Sequence, residues 1–154
     1  MIRGLKDYLL QSAKEGYASG KFKTWIKEKD LSTTITNEIK EFRMHDNFFG
    51  GEPYGGREVV FREDKPVWMM VYYGKVTGGG PDEIYKVLRK ALSLPENEMP
   101  IRGPRSLNFE NYSYKFSWKG TLGDFKATEK ISLKGKELYS ATFAGGEIDR
   151  RKGN

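Results

Sequence analysis

The segment GREVVFREDKPVWMMVYYGK, residues 56–75, decides the fold that this sequence predicts. Alternating apolar and polar residues on either side of the polar group at 62–65 predict two antiparallel strands joined by a tight turn. The second of these strands offers apolar side chains to both faces of its sheet. A similar pattern returns 71 residues later, where Glu58 aligns with Glu129 and Trp68 with Tyr139.

The 71-residue offset also aligns several further positions without a gap, namely Val60 with Ile131, Lys65 with Lys136, Val67 with Leu138, Tyr72 with Phe143 and Gly74 with Gly145. Each copy follows a predicted helix and at least one earlier strand. We therefore interpret the chain as two duplicated αβββ halves, at about residues 1–76 and 81–148. The alternative is that all hairpins look alike, because strand patterns carry little information.

The remaining elements follow from hydrophobic periodicity and from Gly and Pro. The pattern predicts helices at 2–15, ended by Gly16, and from Pro81 to before Pro95, with further strands at 37–48, 109–119, 123–133 and 137–144. Residues 17–37 favour an extended or loop path, and 149–154 form a frayed tail. The predicted fold is a single α+β domain, residues 1–154, with an antiparallel sheet of about six strands and two helices packed on one face.

The turn of the second hairpin determines which side chains share a face. A three-residue turn at 134–136 pairs Ile131 with Tyr139 and Glu129 with Ala141, which gives one apolar and one polar face. A two-residue turn instead mixes polar and apolar side chains on each face. We therefore predict the three-residue turn for both hairpins.

Two glutamates then project from the apolar face, Glu58 and Glu129, and Asp46 joins them. An ionised carboxylate is costly there without partners. Arg102 and several tyrosine hydroxyls are candidate partners: Tyr54, Tyr72, Tyr112, Tyr114 and Tyr139. Either these groups simply provide hydrogen bonds to the carboxylates, or the carboxylates form the floor of a pocket that binds a ligand. The predicted ligand-binding set is Asp46, Glu58, Trp68, Tyr72, Arg102, Tyr112 and Glu129.

The first hairpin has a second apolar face, formed by Val59, Phe61, Val67, Met69 and Val71. A contiguous apolar patch usually marks an interface, so we predict a homodimer through these residues. The competing prediction is that residues 17–37 fold back over the patch with Phe22, Trp25, Ile26 and Leu31.

Composition narrows the classes of function. Cys is absent and His45 is the one histidine, which excludes disulfides, thiolate sites and multi-histidine metal sites, so no metal site is predicted. The net charge of +6 is spread over interleaved charges, with local basic stretches at 21–29 and 150–152, so a solvated surface is favoured over nucleic acid. No stretch approaches the ~20 apolar residues of a membrane span, and we predict a cytoplasmic protein without membrane contact.

Three stretches carry a resemblance to a known family: DNFFGGEPYGGREVVFREDKPVWMMVYYGKV (46–76), MPIRGP (99–104) and GKELYSATFAGGEI (135–148). They resemble a family of uncharacterised prokaryotic proteins, a domain of unknown function that occurs alone or C-terminal to Cro/repressor-type helix-turn-helix domains. The family pattern matches Asp46, Gly50, Gly51, Glu58, Pro66, Trp68, Tyr72, Gly74, Arg102, Gly103 and Glu129. Ala127 stands where the pattern has a glycine. The resemblance implies no activity, but the fused relatives imply an input domain.

The leading hypothesis is therefore a ligand- or partner-binding, sensor-like module with an aromatic pocket floored by carboxylates. Its ligand and any cofactor are unspecified. The first alternative is a small enzyme that uses Asp46, Glu58 and Glu129 in acid/base or metal-assisted chemistry. The second alternative is a nucleic-acid-binding protein that uses the basic surface with exposed Phe22 and Trp25.

Overall fold

A computed structural model describes residues 1–18 and 24–151 of the chain. These residues form two helices, α1 (Leu5–Ala18) and α2 (Pro81–Leu92), and nine strands. The strands are β1 (Thr24–Lys27), β2 (Thr33–Ile39), β3 (Phe42–Phe49), β4 (Tyr54–Arg62), β5 (Lys65–Val76), β6 (Ser106–Phe109), β7 (Tyr112–Thr121), β8 (Asp124–Leu133) and β9 (Lys136–Glu147). The α+β class with an antiparallel sheet is confirmed.

All nine strands belong to one antiparallel sheet in the order β1-β2-β3-β4-β5-β9-β8-β7-β6. Both helices pack on one face, which we call the helix-covered face, and the other is the open face. Helix α2 begins with Pro81 and places Asp82 and Glu83 in its first turn, where they complement the helix dipole. The core between helices and sheet contains Leu5, Tyr8, Leu9, Val60, Trp68, Ile84, Val87, Leu88, Tyr114, Phe116, Ile131 and Tyr139.

The predicted number of six strands is wrong, because β1, β2 and β6 add to the sheet. Five strands follow α1 and four follow α2, so the predicted αβββ halves are not matched. Strand β2 was not predicted, because its buried side chains include the polar residues Thr33, Thr34 and Asn37. Its sequence therefore lacks the alternation of apolar and polar residues that indicates a strand. The environment of these buried side chains is polar as well, since Asn47 Nδ2 donates to Thr34 Oγ1 at 3.0 Å.

Both predicted hairpins form, but with two-residue turns. The turn residues have positive φ angles, 48° and 64° at Glu63 and Asp64, and 50° and 78° at Lys134 and Gly135. The predicted three-residue turn is therefore wrong. A β-bulge next to each turn adds one unpaired residue to the second strand, so the strand pairs beyond the bulge are still the predicted ones. The confirmed pairs are Ile131 with Tyr139, Glu129 with Ala141 and Ala127 with Phe143.

Helix α1 extends beyond Gly16, so the predicted stop at that residue is wrong. Residues 24–39 form β1 and β2 at the edge of the sheet, and Trp25, Ile26 and Leu31 are exposed. They do not cover the apolar patch, which corrects the fold-back prediction for these three residues. Phe22 and residues 152–154 lie outside the described residues.

The predicted apolar patch lies largely on the open face, with its side chains covered to different degrees. Val59 is 6% exposed, Phe61 and Met69 are half-buried, and Val71 is 47% exposed. Val67 occupies the bulge next to the turn and packs against the core. Much of the patch is therefore less accessible than the sequence suggests. Among the described residues, no helix is long and apolar enough to cross a membrane.

Candidate functional site

Strand register brings four of the predicted site residues to the helix-covered face. Glu58 pairs with Met70 on β5, which shares its face with Trp68 and Tyr72. Across the centre of the sheet Tyr72 pairs with Phe143, which lies two residues from the partner of Glu129. The prediction that Glu58, Trp68, Tyr72 and Glu129 share one face is confirmed.

The first carboxylate site is a buried ion pair between Arg102 and Glu129. The Glu129 side chain is 0% exposed, and Arg102 approaches it with two donors, Nε to Oε2 at 3.0 Å and Nη2 to Oε1 at 2.8 Å. Tyr114 OH donates to Oε2 at 2.6 Å and Tyr139 OH donates to Oε1 at 2.9 Å. Four donors therefore satisfy Glu129, as a buried charge requires.

The loop after α2 positions Arg102 through Gly103. The Gly103 amide donates to Tyr114 OH at 3.1 Å. A Cβ at this position would lie 2.7 Å from the same hydroxyl oxygen and 2.9 Å from the Ala91 carbonyl oxygen. Glycine is required here because the backbone approaches both groups closely. The Arg102 guanidinium also lies 5.0 Å from the ring centroid of Phe143.

Protonation within this cluster favours the observed hydrogen bonds. Burial, and next the charge of Glu129, raise the pKa values of Tyr114 and Tyr139 well above the ordinary value for tyrosine, so both hydroxyls remain donors. Burial disfavours the charge of Arg102, but Glu129 and its neighbours outweigh this and raise the pKa of the guanidinium. The cluster is therefore a charged, hydrogen-bonded unit whose partners are all protein groups.

The second carboxylate site is an acidic pair, Asp46 and Glu58, which face each other on β3 and β4. Directly paired side chains on neighbouring strands have Cβ atoms about 5 Å apart. Both side chains are half-buried. Tyr72 OH donates a hydrogen bond to Asp46 Oδ1. Burial, then Asp46 and Glu58, raise the pKa of Tyr72, so it also remains a donor.

Helix α1 borders the acidic pair through Tyr8. Its ring stacks on Phe42 with centroids 5.2 Å apart, and its hydroxyl donates to Asn37 Oδ1. Asn37 Nδ2 in turn donates to Ser12 Oγ at 2.5 Å. Burial, followed by the charge of Glu58, raises the pKa of Tyr8. The sequence predicted the helix that contains Tyr8 but gave no signal for the partner of its hydroxyl, because β2 was not predicted.

Aromatic rings connect the acidic pair to the buried ion pair. The ring centroid of Tyr72 lies 6.0 Å from that of Tyr54 and 6.3 Å from that of Phe143. Tyr54 and Tyr139 share a hydrogen bond between their hydroxyls. A Cβ at Gly74 would lie 2.5 Å from the Tyr54 hydroxyl oxygen, so glycine makes room for this ring. Side-chain contacts therefore connect the two carboxylate sites through Tyr72, Tyr54 and Tyr139.

The two glutamates are too far apart to act on one bond. Strands β4 and β8 are three strand spacings apart, which is about 14 Å across the sheet. Pairs of carboxylates that act on the same bond are about 5 to 9.5 Å apart. Glu58 and Glu129 therefore belong to separate sites on the same face.

Two other predicted site residues do not join the acidic pair. Trp68 is fully buried, stacks on Phe125 and donates from Nε1 to the Leu122 carbonyl at 2.8 Å, so it is a core residue. Tyr112 lies on β7, five strand spacings or about 24 Å from β3. Across residues 1–18 and 24–151, no group of three His, Asp or Glu side chains could hold a metal ion.

Comparison with known proteins gave one match. The family model described as "Domain of unknown function (DUF5680)" matches residues 46–148, which include both carboxylate sites. No curated protein and no solved structure matches the chain.

Proposed function

The chain belongs to the DUF5680 family, a domain of unknown function, and on that premise we propose that it is a sensor-like binding module with its ligand at the acidic pair. One observation carries the proposal: Asp46 and Glu58 are neighbours on adjacent strands, are only half-buried, and adjoin the ring of Tyr72. Glu129 of the buried ion pair, by contrast, is 0% exposed.

The chemistry of the acidic pair favours a cationic ligand. Two carboxylates at directly paired positions of neighbouring strands concentrate negative charge, which attracts a positively charged group. The neighbouring rings of Tyr72 and Tyr54 add cation–π attraction and apolar contact. A primary amine or a guanidinium on a short aliphatic chain combines these properties.

The buried ion pair supports this site without contacting the ligand. Arg102 and Glu129 fix Tyr139, Tyr139 bonds Tyr54, and Tyr54 packs on Tyr72. A rigid support of this kind keeps the binding side chains in one rotamer.

Thermal unfolding in the presence of putrescine or agmatine tests the proposal, with glutarate as the anionic control. A ligand at 100 times its dissociation constant stabilises the folded state by about 2.7 kcal/mol, which raises the melting temperature measurably. We expect Asp46→Asn and Glu58→Gln each to abolish this increase. The matched control Glu83→Gln removes an exposed carboxylate from α2 and should retain it.

If neither amine stabilises the wild type, or if both site variants respond as the wild type does, the acidic pair is not a cation site. Circular dichroism of the unliganded variants establishes that they are folded.

The enzyme alternative remains a proposal restricted to Asp46 and Glu58, because Glu129 is about three strand spacings away. The hydrogen bond from Tyr72 favours it, because it holds the Asp46 carboxylate in one orientation, as general acid/base catalysis requires. A rise in melting temperature with Mg²⁺ that Glu58→Gln removes, without a response to amines, would favour this alternative.

Self-association through Val59, Phe61, Val67, Met69 and Val71 is also a proposal, supported by the 47% exposure of Val71. Sedimentation at tens of micromolar protein tests it. A cytoplasmic location and an origin of the two hairpins by duplication stay predictions.

A further inference from the structure

The open face of the sheet contains an uncharged row that crosses four strands. Along β5, β9, β8 and β7, every second side chain points to the helix-covered face, and the side chains between them point to the open face. Register pairs Tyr73 with Thr142, Thr142 with Thr128, and Thr128 with Ser117. These four side chains form a continuous floor of one exposed aromatic ring and three hydroxyls.

Lysines border this floor on both sides. On one side, Lys126 pairs with Lys119. On the other side, Lys75 pairs with Ser140, Ser140 with Lys130, and Lys130 with Lys115. All five lysines are exposed: Lys75, Lys115, Lys119, Lys126 and Lys130.

The dimensions of this groove follow from strand geometry. Each lysine row is two residues from the floor, so the two rows lie about 14 Å apart along the strands, and the floor is about 14 Å long. The groove has a volume of about 730 Å³, and its lining includes the four floor residues, Lys119 and Lys126 with Val71 and Ala144 of the same row. We call it the lysine groove.

Few acidic side chains oppose these lysines on the four strands. Glu129 and Glu147 lie on the helix-covered face. Glu137 pairs with Lys130 at 3.4 Å, and Asp124 is the first residue of β8, at its end. The lysines therefore give the two borders of the lysine groove a net positive charge.

We propose that the lysine groove binds single-stranded nucleic acid. Lysines and Ser or Thr hydroxyls are the side chains that contact phosphate oxygens, and an exposed tyrosine offers a surface on which a base stacks. The site consists of different residues from Phe22 and Trp25, which the sequence suggested for nucleic acid. It also lies on the opposite face from the acidic pair, so it is a second site.

Charge and strand pairing favour this occupant over two others. A second copy of the chain packed face to face would bring two lysine grooves together, and like charges oppose such a contact. An extended peptide usually adds to the unpaired edge of a sheet, whereas the groove crosses strands whose backbone groups already pair. A short flexible polyanion matches both the charge and the length of the groove.

Fluorescence anisotropy with a labelled twelve-nucleotide oligothymidylate tests the proposal. We expect a dissociation constant of roughly 1–100 µM at physiological salt, with steep salt dependence. Lys119→Glu combined with Lys126→Glu should weaken binding at least tenfold. It should also reduce the slope of log affinity against log salt by about 1.4, since each phosphate contact contributes about 0.7 for single strands.

The matched control is Lys6→Glu combined with Lys14→Glu. It reverses the charge of two exposed side chains on α1 and changes the net charge of the protein by the same amount. It should keep most of the affinity. Tyr73→Thr, which preserves strand propensity, should weaken oligothymidylate binding at least fivefold. Its affinity for a heparin fragment, which lacks bases, should stay unchanged.

Three results would overturn the proposal. The first is no binding to the wild type at about 100 µM protein and low salt. The second is equal weakening by the groove and control variants, which would reflect net charge alone. The third is a wild-type dimer that the groove variant converts to a folded monomer, which would assign the groove to a second copy.

Discussion

Glu58 and Glu129 occupy corresponding positions in two hairpins that share a two-residue turn and a bulge. Both lie on the helix-covered face, 71 residues apart. Glu129 is completely buried and accepts hydrogen bonds from Arg102, Tyr114 and Tyr139. Glu58 is half-buried next to another carboxylate.

The difference comes from elements outside the hairpins. Strand β3 places Asp46 opposite Glu58, whereas β7 places Phe116 opposite Glu129. The loop after α2 then brings Arg102 to Glu129. Corresponding strand positions therefore become a structural ion pair or an accessible acidic site according to the neighbours that the rest of the chain supplies.

The largest expected effect is the difference in the free energy of unfolding when each glutamate is replaced by glutamine. Glu129→Gln leaves Arg102 buried without its counter-charge and should lower the free energy of unfolding by about 3–5 kcal/mol. Glu58→Gln should change it by less, about 1 kcal/mol, because the side chain is only half-buried and solvent screens its interactions. Urea unfolding followed by tryptophan fluorescence measures both.

A double substitution tests the cause of the large effect. Arg102→Met with Glu129→Leu replaces both charges by apolar groups of similar size, which is often nearly neutral for a buried pair. It should therefore be more stable than Glu129→Gln alone. Similar losses for the Glu58 and Glu129 single variants would remove the contrast between the two sites.

An intermediate effect is expected at Gly103, whose amide contacts Tyr114 next to the buried ion pair. Gly103→Ala places a Cβ 2.7 Å from the Tyr114 hydroxyl oxygen and should cost about 1–3 kcal/mol in the free energy of unfolding. Gly51→Ala, where a Cβ meets nothing within 4 Å, is the control and should cost less than about 0.5 kcal/mol. Equal costs would mean that the loop adjusts freely and does not fix Arg102.

The smallest effect is a change in alkaline stability. Burial and Glu129 raise the pKa of Tyr139 above its ordinary value of 10.0, so above pH 10 the unfolded chain loses a proton that the folded protein keeps. This contribution to stability is complete below pH 10 and decreases as the pH rises, by up to about 1.4 kcal/mol per pH unit. Tyr139→Phe should make the decrease between pH 10 and 11 smaller by about 1 kcal/mol.

Urea unfolding at several pH values from 9 to 11 measures this slope. Phe49→Leu, which changes an exposed ring that does not titrate, serves as the control. A slope for Tyr139→Phe equal to that of the wild type would show that Tyr139 contributes no proton linkage.

Local patterns predicted much of the fold and part of the candidate site. Period-two alternation located β4, β5, β7, β8 and β9, and the cross-strand pairs placed Glu58 and Glu129 on one face. The sequence also named Arg102, Tyr114 and Tyr139 as candidate partners of the carboxylates, and the structure places all three on Glu129. Charge balance and side-chain chemistry were sufficient for that prediction.

By itself, the sequence determined the type of most elements, the α+β class and the face of each carboxylate, because these depend on residues close together in the chain. Only the tertiary structure decided that β1, β2 and β6 extend the sheet, that Arg102 reaches Glu129 and leaves Asp46 opposite Glu58, and that five lysines align in rows. Those features depend on strand order and register between distant segments. Side-chain periodicity within one strand specifies a face but not the neighbour across it.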